Sequence, residues 1–158
     1  MALNRPVWRG MCCAGIVLWA GGAATVRAQE VYTQSDFGGV GLMQTPTARM
    51  AREGEFSFVV SRTTPYTNYN VSMQPLPWLE GSFRYTNVSN RLYGPRSLSG
   101  SQTYKDKSID AKVRLWEETR WIPQVAVGAR EVGGTGLFSS EFAVASKRVG
   151  PCEGSVGL

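Results

Sequence analysis

Short segments that alternate apolar and polar residues make up most of the chain beyond residue 54, and they constrain its fold more than any other feature. Tyr69, Val71 and Met73 interleave with polar residues, and Ile109 to Leu115 repeats the pattern. A period of two places the apolar side chains on one face of a β-strand and the polar ones on the other. Seven such strands are predicted: Glu55–Arg62, Asn68–Gln74, Leu79–Thr86, Ser108–Trp116, Trp121–Arg130, Phe138–Lys147 and Glu153–Leu158.

The breaks between the predicted strands alternate in length. Pro75–Trp78, Glu117–Arg120 and Arg148–Cys152 are short, whereas the intervening breaks are longer, and Asn87–Lys107 is the longest. Aromatic residues gather near the strand ends: Tyr66, Tyr69, Trp78, Trp116 and Trp121. Outer-membrane barrels combine short turns on one side, longer loops on the other and two aromatic girdles. The sequence therefore predicts an all-β fold, an antiparallel meander of about seven strands that is part of an outer-membrane β-barrel. A soluble sheet whose aromatic residues fill a core is the alternative.

Residues 1–28 have the composition of a cleaved secretory signal peptide. Arg5 and Arg9 precede the apolar run Met11–Ala20, which is too short to span a bilayer as a helix, and small residues follow it. Cys12 and Cys13 stand at the start of this run rather than after it, which argues against a lipoprotein signal. We therefore expect export to the outer membrane. Residues 29–54 then form an N-terminal segment, and residues 55–158 form an incomplete barrel domain.

The basic character of the chain belongs mostly to this leader. Three of the 17 Lys and Arg residues (Arg5, Arg9 and Arg27) leave with it, so 14 remain against 12 Asp and Glu, and the net charge falls from +5 to about +2. A charge this small gives no support to nucleic-acid binding, and none is expected. Cys152 alone remains of three cysteines, so order in the mature chain has to come from something other than an internal disulfide.

Charged residues and one glutamine recur on the polar face of the predicted strands: Glu55, Arg84, Asp110, Lys112, Arg114, Gln124, Arg130, Glu141 and Lys147. Charges facing lipid are costly, so this face should line the lumen. Four cations on it are the candidate contacts for an anionic polysaccharide: Arg84, Lys112, Arg114 and Arg130. Mutual pairing that only makes the lumen rigid is the alternative. On this assignment Val113→Arg should disturb assembly far more than Lys112→Ala.

Catalytic chemistry finds little support in the sequence. The chain contains no His, so Cys152 has no histidine to activate it. Glu117 and Glu118 are adjacent residues in a predicted turn, and the glycine-rich Gly38–Gly41 lacks the Lys and Ser/Thr of a phosphate-binding loop. We expect no enzymatic activity, no cofactor and no metal site.

One stretch of the sequence is more specific than the general pattern of barrel strands. Asp36–Met50, followed by Gly54–Ser57, resembles the start of YjbH-type exopolysaccharide biosynthesis proteins. Further segments are similar to that family in the same order: Pro75–Glu80, Tyr104–Ser108, Asp110–Lys112 and Gly133–Glu141. The resemblance covers roughly Ser35 to Pro151 and implies an outer-membrane β-barrel protein involved in exopolysaccharide production or export. It implies outer-membrane lipid, anionic exopolysaccharide and other export-machinery proteins as partners, and it supplies no catalytic residues.

The members of that family are several times longer than this chain, so we expect a truncated product that does not close into a barrel alone. Two alternatives for its function remain. One is a soluble periplasmic β-sheet module that binds saccharide or a partner protein, and the other is a hydrolase. A carboxylate pair on one strand face would favour the hydrolase, and none can be identified in the sequence.

Overall fold

The computed structural model describes residues 32–158, so the predicted signal peptide, residues 1–28, lies outside the described residues. Nine strands and one short helix are present, in this order: β1 (Gly41–Leu42), β2 (Thr45–Pro46), β3 (Phe56–Thr63), β4 (Tyr66–Leu76), β5 (Leu79–Leu92), α1 (Arg96–Ser99), β6 (Thr103–Trp116), β7 (Gln124–Gly134), β8 (Ser140–Val149) and β9 (Cys152–Gly157). Among these residues no helix is long and apolar enough to cross a membrane.

Strands β3 to β9 form one seven-stranded antiparallel meander that curls into a half-barrel. Each strand pairs with its sequence neighbour, and β3 and β9 are the two edges. All seven predicted strands are therefore confirmed, and so is the all-β class. The short strands β1 and β2 form a separate hairpin in the N-terminal segment.

Two central strands run well beyond their predicted ends. Strand β5 continues to Leu92 and β6 begins at Thr103, so the long break shrinks to residues 93–102, which include α1. Asn87 pairs with Lys105 and Thr86 with Asp106 in this extension. These residues continue the backbone ladder with polar side chains on both faces, so the apolar alternation that marks a strand in the sequence stops before the strand does.

The predicted alternation of long and short connections is only partly correct. The first connection, residues 64–65, is as short as the turn at residues 77–78, and the fourth, residues 117–123, is longer than the fifth, residues 135–139. Two hydrogen bonds close the fourth connection. The Trp116 indole N–H donates to the Pro123 carbonyl (2.9 Å), and Thr119 N–H donates to the Ile122 carbonyl (3.0 Å). Proline lacks the N–H that a ladder requires, and strand β7 starts at the next residue.

The two faces of the sheet have inverted polarity relative to a soluble protein. Apolar side chains on the outer, convex face are exposed: Phe56, Phe58, Val60, Tyr69, Met73, Phe83, Ile109 and Leu115. Polar side chains on the inner, concave face are buried: Asn68, Asn70, Ser72, Gln74, Glu80, Arg84, Thr86, Asp106, Ser108, Asp110, Lys112, Gln124 and Ser146. Phe58 is 61% exposed while Arg84 is fully buried. Glu141 and Lys147, expected on the polar face, alternate with the inward Val144 and Ser146 and so lie on the outer face, near the two ends of β8.

Residues 33–50, here called the inner segment, lie against the concave face and bury it. The segment contains the β1–β2 hairpin and a bridge between Gln34 and Val40. Its Ala48 joins Ala126 and Val144 in a small apolar cluster, against which Phe142 packs. The buried core of the described chain is therefore mostly polar, and it is formed between the sheet and a segment that precedes the sheet in the sequence.

Candidate functional site

The inner segment is attached to the sheet mainly through its own backbone. The Asp36 carbonyl accepts hydrogen bonds from Asn70 Nδ2 (2.9 Å), Asn68 Nδ2 (3.2 Å) and Ser61 Oγ (3.2 Å). Gly39 N–H donates to Ser72 Oγ at 2.7 Å. Polar side chains from two neighbouring strands, β3 and β4, thus take the place of a strand partner, which satisfies backbone groups that are buried away from water.

The polar contacts continue to the far side of the half-barrel. Ala48 N–H donates to Ser146 Oγ (2.9 Å) on β8, and Gln124 Nε2 donates to the Ala48 carbonyl (2.6 Å) from β7. Together with the contacts from β5 and β6 described below, side chains of six successive strands, β3 to β8, bond to the backbone of the segment.

Lys112 and Glu80 form a buried ion pair that bonds to the backbone of the segment at Val40 and Arg49. Lys112 Nζ lies 3.0 Å from Glu80 Oε1, and it donates to the carbonyls of Val40 and Arg49, both at 2.9 Å. Glu80 Oε2 accepts from Val40 N–H at 2.9 Å. All three ammonium donors of Lys112 are used. This candidate polysaccharide contact is therefore occupied by protein groups.

Arg84 is the centre of a second buried cluster. Its guanidinium contacts Asp110 Oδ2 (3.0 Å), Ser108 Oγ (3.0 Å) and, more distantly, Glu131 Oε1 (3.5 Å). It also donates to the Phe37 carbonyl (3.3 Å). Phe37 and Phe138 flank the guanidinium, with ring centroids 5.0 and 5.5 Å from Cζ. The second candidate cation is thus also fully enclosed by protein.

A β-bulge in β7 brings an additional carboxylate to Arg84. The β6–β7 register shifts between Ile109 and Ala111, and Glu131 there has a φ of 59°. Its N–H donates to Asp110 Oδ1 at 2.8 Å. Three residues of β7, Arg130 to Val132, lie opposite Asp110 alone, and extra residues of this kind re-aim side chains. The bulge brings Glu131 inward, where it shares Arg84 with Asp110.

Arg130 lies beside this cluster and contacts the inner segment from β7. It donates to the Gln44 carbonyl (3.1 Å), and its Cζ lies 4.3 Å from the Phe37 ring centroid and 5.7 Å from that of Phe142. Phe142 in turn lies across Gly128, its register partner on the neighbouring strand. Arg130 is therefore held by a carbonyl and two aromatic rings.

Arg114, the remaining candidate, is at the opposite end of the sheet. It pairs with Glu117 (2.7 Å) in the 117–123 connection rather than with the inner segment. The four predicted cations therefore do not form one continuous track. Arg84, Lys112 and Arg130 lie under the segment, and Arg114 lies near the rim.

An ion network at that rim closes the end of the inner segment. Arg49 contacts Glu118 (2.6 Å), Glu153 (2.8 Å) and Gln124 Oε1 (3.0 Å). Burial by itself would lower the pKa of Arg49, but hydrogen bonds with Glu153 and Glu118 outweigh it and raise the pKa. Burial opposes ionisation of Glu118, yet the Arg148 N–H and the side chains of Arg49 and Lys147 lower its pKa to about 2. The network joins the inner segment to the 117–123 connection and to the edge strand β9.

Little free space remains between the inner segment and the sheet. A cavity of about 20 Å³ is lined by residues of the segment and by Lys112, Arg130 and Phe142. That volume corresponds to roughly one water molecule. Within residues 32–158 there is also no cluster of His, Cys, Asp or Glu that could hold a metal ion. The arrangement is suited to filling a lumen, and this cavity is too small for a bound sugar.

Alternation in the sequence identified the inward cations but not the carboxylates and carbonyl groups that they contact. Glu80, Glu131 and the carbonyl groups of residues 36–49 carry much of the geometry and were not recognised from the sequence. The available signal was Gly38–Gly41, whose closely spaced glycines permit the backbone to approach neighbouring strands. Gly38 and Gly39 have φ values of 90° and 74°.

Comparison with known proteins agrees with the segments noted in the sequence. The profile of the YjbH family, exopolysaccharide biosynthesis protein YbjH, matches residues 33–158. The chain is 59% identical over 127 residues to the uncharacterized lipoprotein YjbH of Escherichia coli (strain K12), an alignment that covers 80% of this chain and 18% of that protein. The chain thus spans less than a fifth of the length of this relative, and no solved structure matches it. On the strength of a match that includes both the inner segment and all strands of the sheet, the chain belongs to the YjbH family.

Proposed function

We propose that this chain forms the N-terminal wall and the lumen filling of an outer-membrane β-barrel protein that takes part in exopolysaccharide production or export. One observation carries the proposal, namely the inverted polarity of the sheet. Its charged face is buried and paired, while its apolar face is uncovered. A barrel in lipid requires this arrangement, because the outer face meets hydrocarbon and the lumen is polar.

The uncovered apolar face also argues against a soluble module. A periplasmic sheet that binds saccharide needs a second layer over its apolar side, and no element within residues 32–158 provides one. Large apolar patches on protein surfaces mark interfaces with membranes or other proteins. Lipid would satisfy the whole outer face from Phe58 on β3 to Val156 on β9 without a dedicated partner.

The polysaccharide part of the proposal rests on family membership. The family is described by its role in exopolysaccharide biosynthesis, and the relative from Escherichia coli is named a lipoprotein, which supports an exported, envelope-associated protein. Anionic exopolysaccharide and other export proteins are the partners that fit this role. The function is structural and non-enzymatic in this proposal.

The interior cations take a more specific role than direct lining of a polymer path. Arg84 and Lys112 hold the inner segment in place, and a polymer reaches them only after the segment moves. Arg130 would be uncovered by the same movement, because its partners Phe37 and Gln44 belong to the segment. Arg114, at the rim, is the candidate that does not depend on it.

Substituting Val113 on the outer face tests the proposal. An arginine near the middle of a bilayer costs about 2–4 kcal/mol and one near the interface about 0–1 kcal/mol. Val113→Arg should therefore sharply reduce recovery of the chain in the outer-membrane fraction of a Gram-negative host. Thr67→Arg, on the same face but among polar residues, is the matched control and should be recovered like the wild type. Equal recovery of both variants, or a wild-type chain found free in the periplasm, would refute insertion.

A further inference from the structure

Three cations stand on the outer face of the sheet at one end, here called the loop end, where the connections 64–65, 93–102 and 135–139 lie. Arg62, Thr67, Asn87 and Lys105 are successive register partners across β3, β4, β5 and β6. Lys107 is two residues further along β6, opposite Tyr85. Strand alternation places these cations on the same side as Phe58, Phe83 and Ile109, and we call Arg62, Lys105 and Lys107 the basic patch.

The basic patch adjoins the apolar surface directly. Tyr69 and Tyr85 lie opposite one another, with ring centroids 6.4 Å apart, in a rank that begins with Val60 and ends with Lys107. This rank lies between that of Arg62 and Lys105 and the apolar rank Phe58, Val71, Phe83 and Ile109. Aromatic rings with a polar tip favour the boundary between hydrocarbon and headgroups, and long basic side chains extend from such a boundary toward water. The order apolar, tyrosine, cation along the strands is therefore the order found in crossing from hydrocarbon to headgroups.

Carboxylates do not neutralise this patch. The acidic side chains of the neighbouring strands, Glu80, Asp106 and Asp110, are turned inward and buried. Lys105 bonds to the neutral side chains of Asn87 and Thr103, and no described carboxylate pairs with Arg62 or Lys107. Glu141 is the nearest acidic residue on the outer face at this end, and it lies on β8, two strands away from β6. The patch presents positive charge that the described protein leaves uncompensated.

We propose that the basic patch binds the phosphate groups of an anionic membrane lipid at the loop end of the sheet. The inference rests on the proposed function, since it requires that the apolar face meets lipid, and it adds a ligand chemistry and a site. Lipid is favoured over a soluble polymer because the three cations are on the outer face, continuous with the apolar surface. The interior, where a polymer would pass, is on the other side of the sheet.

Vesicle binding by the full chain tests the site. The chain is refolded in the presence of phosphatidylcholine vesicles, with or without diphosphoryl lipid A, and the bound fraction is measured by flotation. Each cation near an anionic surface strengthens binding by roughly fivefold, so three should give about a hundredfold preference for vesicles with lipid A at low salt. The variant R62Q/K105Q/K107Q should lose that preference and keep its affinity for phosphatidylcholine.

A second triple variant, R52Q/R96Q/R120Q, removes the same charge from exposed positions outside the patch and should keep the preference. Retention of the preference by R62Q/K105Q/K107Q, or equal loss in both variants, would overturn the basic patch alone. Wild-type chain that binds neither kind of vesicle would overturn the membrane proposal and the patch with it. If the patch substitutions abolish binding of soluble polyglucuronate and leave lipid A binding intact, the assignment to lipid is wrong.

Discussion

Lys112 offers the sharpest test of how the inner segment is held. Its ammonium group pairs with Glu80 and donates to two carbonyls of the segment, those of Val40 and Arg49. Lys112→Met keeps the length of the aliphatic chain and removes the charge and all three donors. The Glu80 carboxylate would then remain buried with Val40 N–H as its remaining hydrogen-bond donor.

The cost follows from the burial of the pair. Removal of one partner of a buried ion pair destabilises a protein by about 3–5 kcal/mol, because the other charge is left uncompensated. The side chains of Lys112 and Glu80 are 4% and 8% exposed, so solvent provides little screening. If the loss is confined to docking of the inner segment, a factor of ten for each ~1.4 kcal/mol makes opening about 10²- to 10³-fold more frequent.

Hydrogen–deuterium exchange of the chain refolded in detergent micelles measures this opening. The amides of Gly39 and Val40 donate to Ser72 and Glu80, so they exchange when the segment leaves the sheet. Their exchange should accelerate by about 10²- to 10³-fold in Lys112→Met. Arg120→Met, at an exposed turn position, should leave both amides protected.

A double variant separates electrostatics from packing. Lys112→Met combined with Glu80→Gln leaves no buried charge at this pair, and the glutamine carbonyl can still accept from Val40 N–H. Protection should return in part, with a coupling free energy of about 1–3 kcal/mol. Unchanged protection in Lys112→Met, or a double variant worse than the sum of the single ones, would refute the view that this pair anchors the segment.

Two further predictions concern the rim network and the β7–β8 packing. The pKa of Glu118 is lowered from 4.5 to about 2, so its contribution to stability is complete above about pH 4.5 and is lost as the pH falls toward 2. Glu118→Gln should therefore weaken the pH dependence of the urea-unfolding midpoint across that window. An unchanged pH dependence would contradict the network. A Cβ at Gly128 would press against Phe142 and lie 2.8 Å from the Ala111 carbonyl, so Gly128→Ala should lower the free energy of unfolding by about 1–3 kcal/mol. Gly81→Ala, at a strand position with nothing within 4 Å, is the matched control, and an equal effect at both sites would contradict the packing role of Phe142.

Alternation of side chains predicted the sheet and its faces because it reports local geometry. Val71 was placed on the apolar face and Lys112 on the polar face that should point inward, and the burial of Lys112 confirms its direction. The period of two follows directly from the pleat, so it holds whichever elements the strand later packs against. The strand ends were less accurate, since β5 and β6 continue through polar residues where the alternation is no longer visible.

The partners of the inward side chains could not be predicted in the same way. That Lys112 tolerates substitution better than Val113 stays a prediction, and the buried, fully bonded ammonium group of Lys112 was not part of the reasoning behind it. Its partners lie 32 residues earlier on β5 and 72 and 63 residues earlier in the inner segment. Contacts of such separation depend on the tertiary fold. A single sequence predicts the strand face on which a side chain lies, but it does not predict which residues that side chain contacts.

Gly39 gives a final test of why the inner segment contains so many glycines. Gly39 has a φ of 74°, and a Cβ there would press against the Glu80 carboxylate, whereas Gly54 has a φ of 78° with nothing within 4 Å. Alanine at either site incurs the left-handed penalty of about 1–2 kcal/mol. At Gly39 it must also displace Glu80, which holds Lys112 and Val40 N–H. Gly39→Ala should therefore accelerate exchange of the Val40 amide well beyond Gly54→Ala, which should leave it protected. If the two variants exchange alike, backbone conformation alone explains the glycine, and close approach to Glu80 has no part in it.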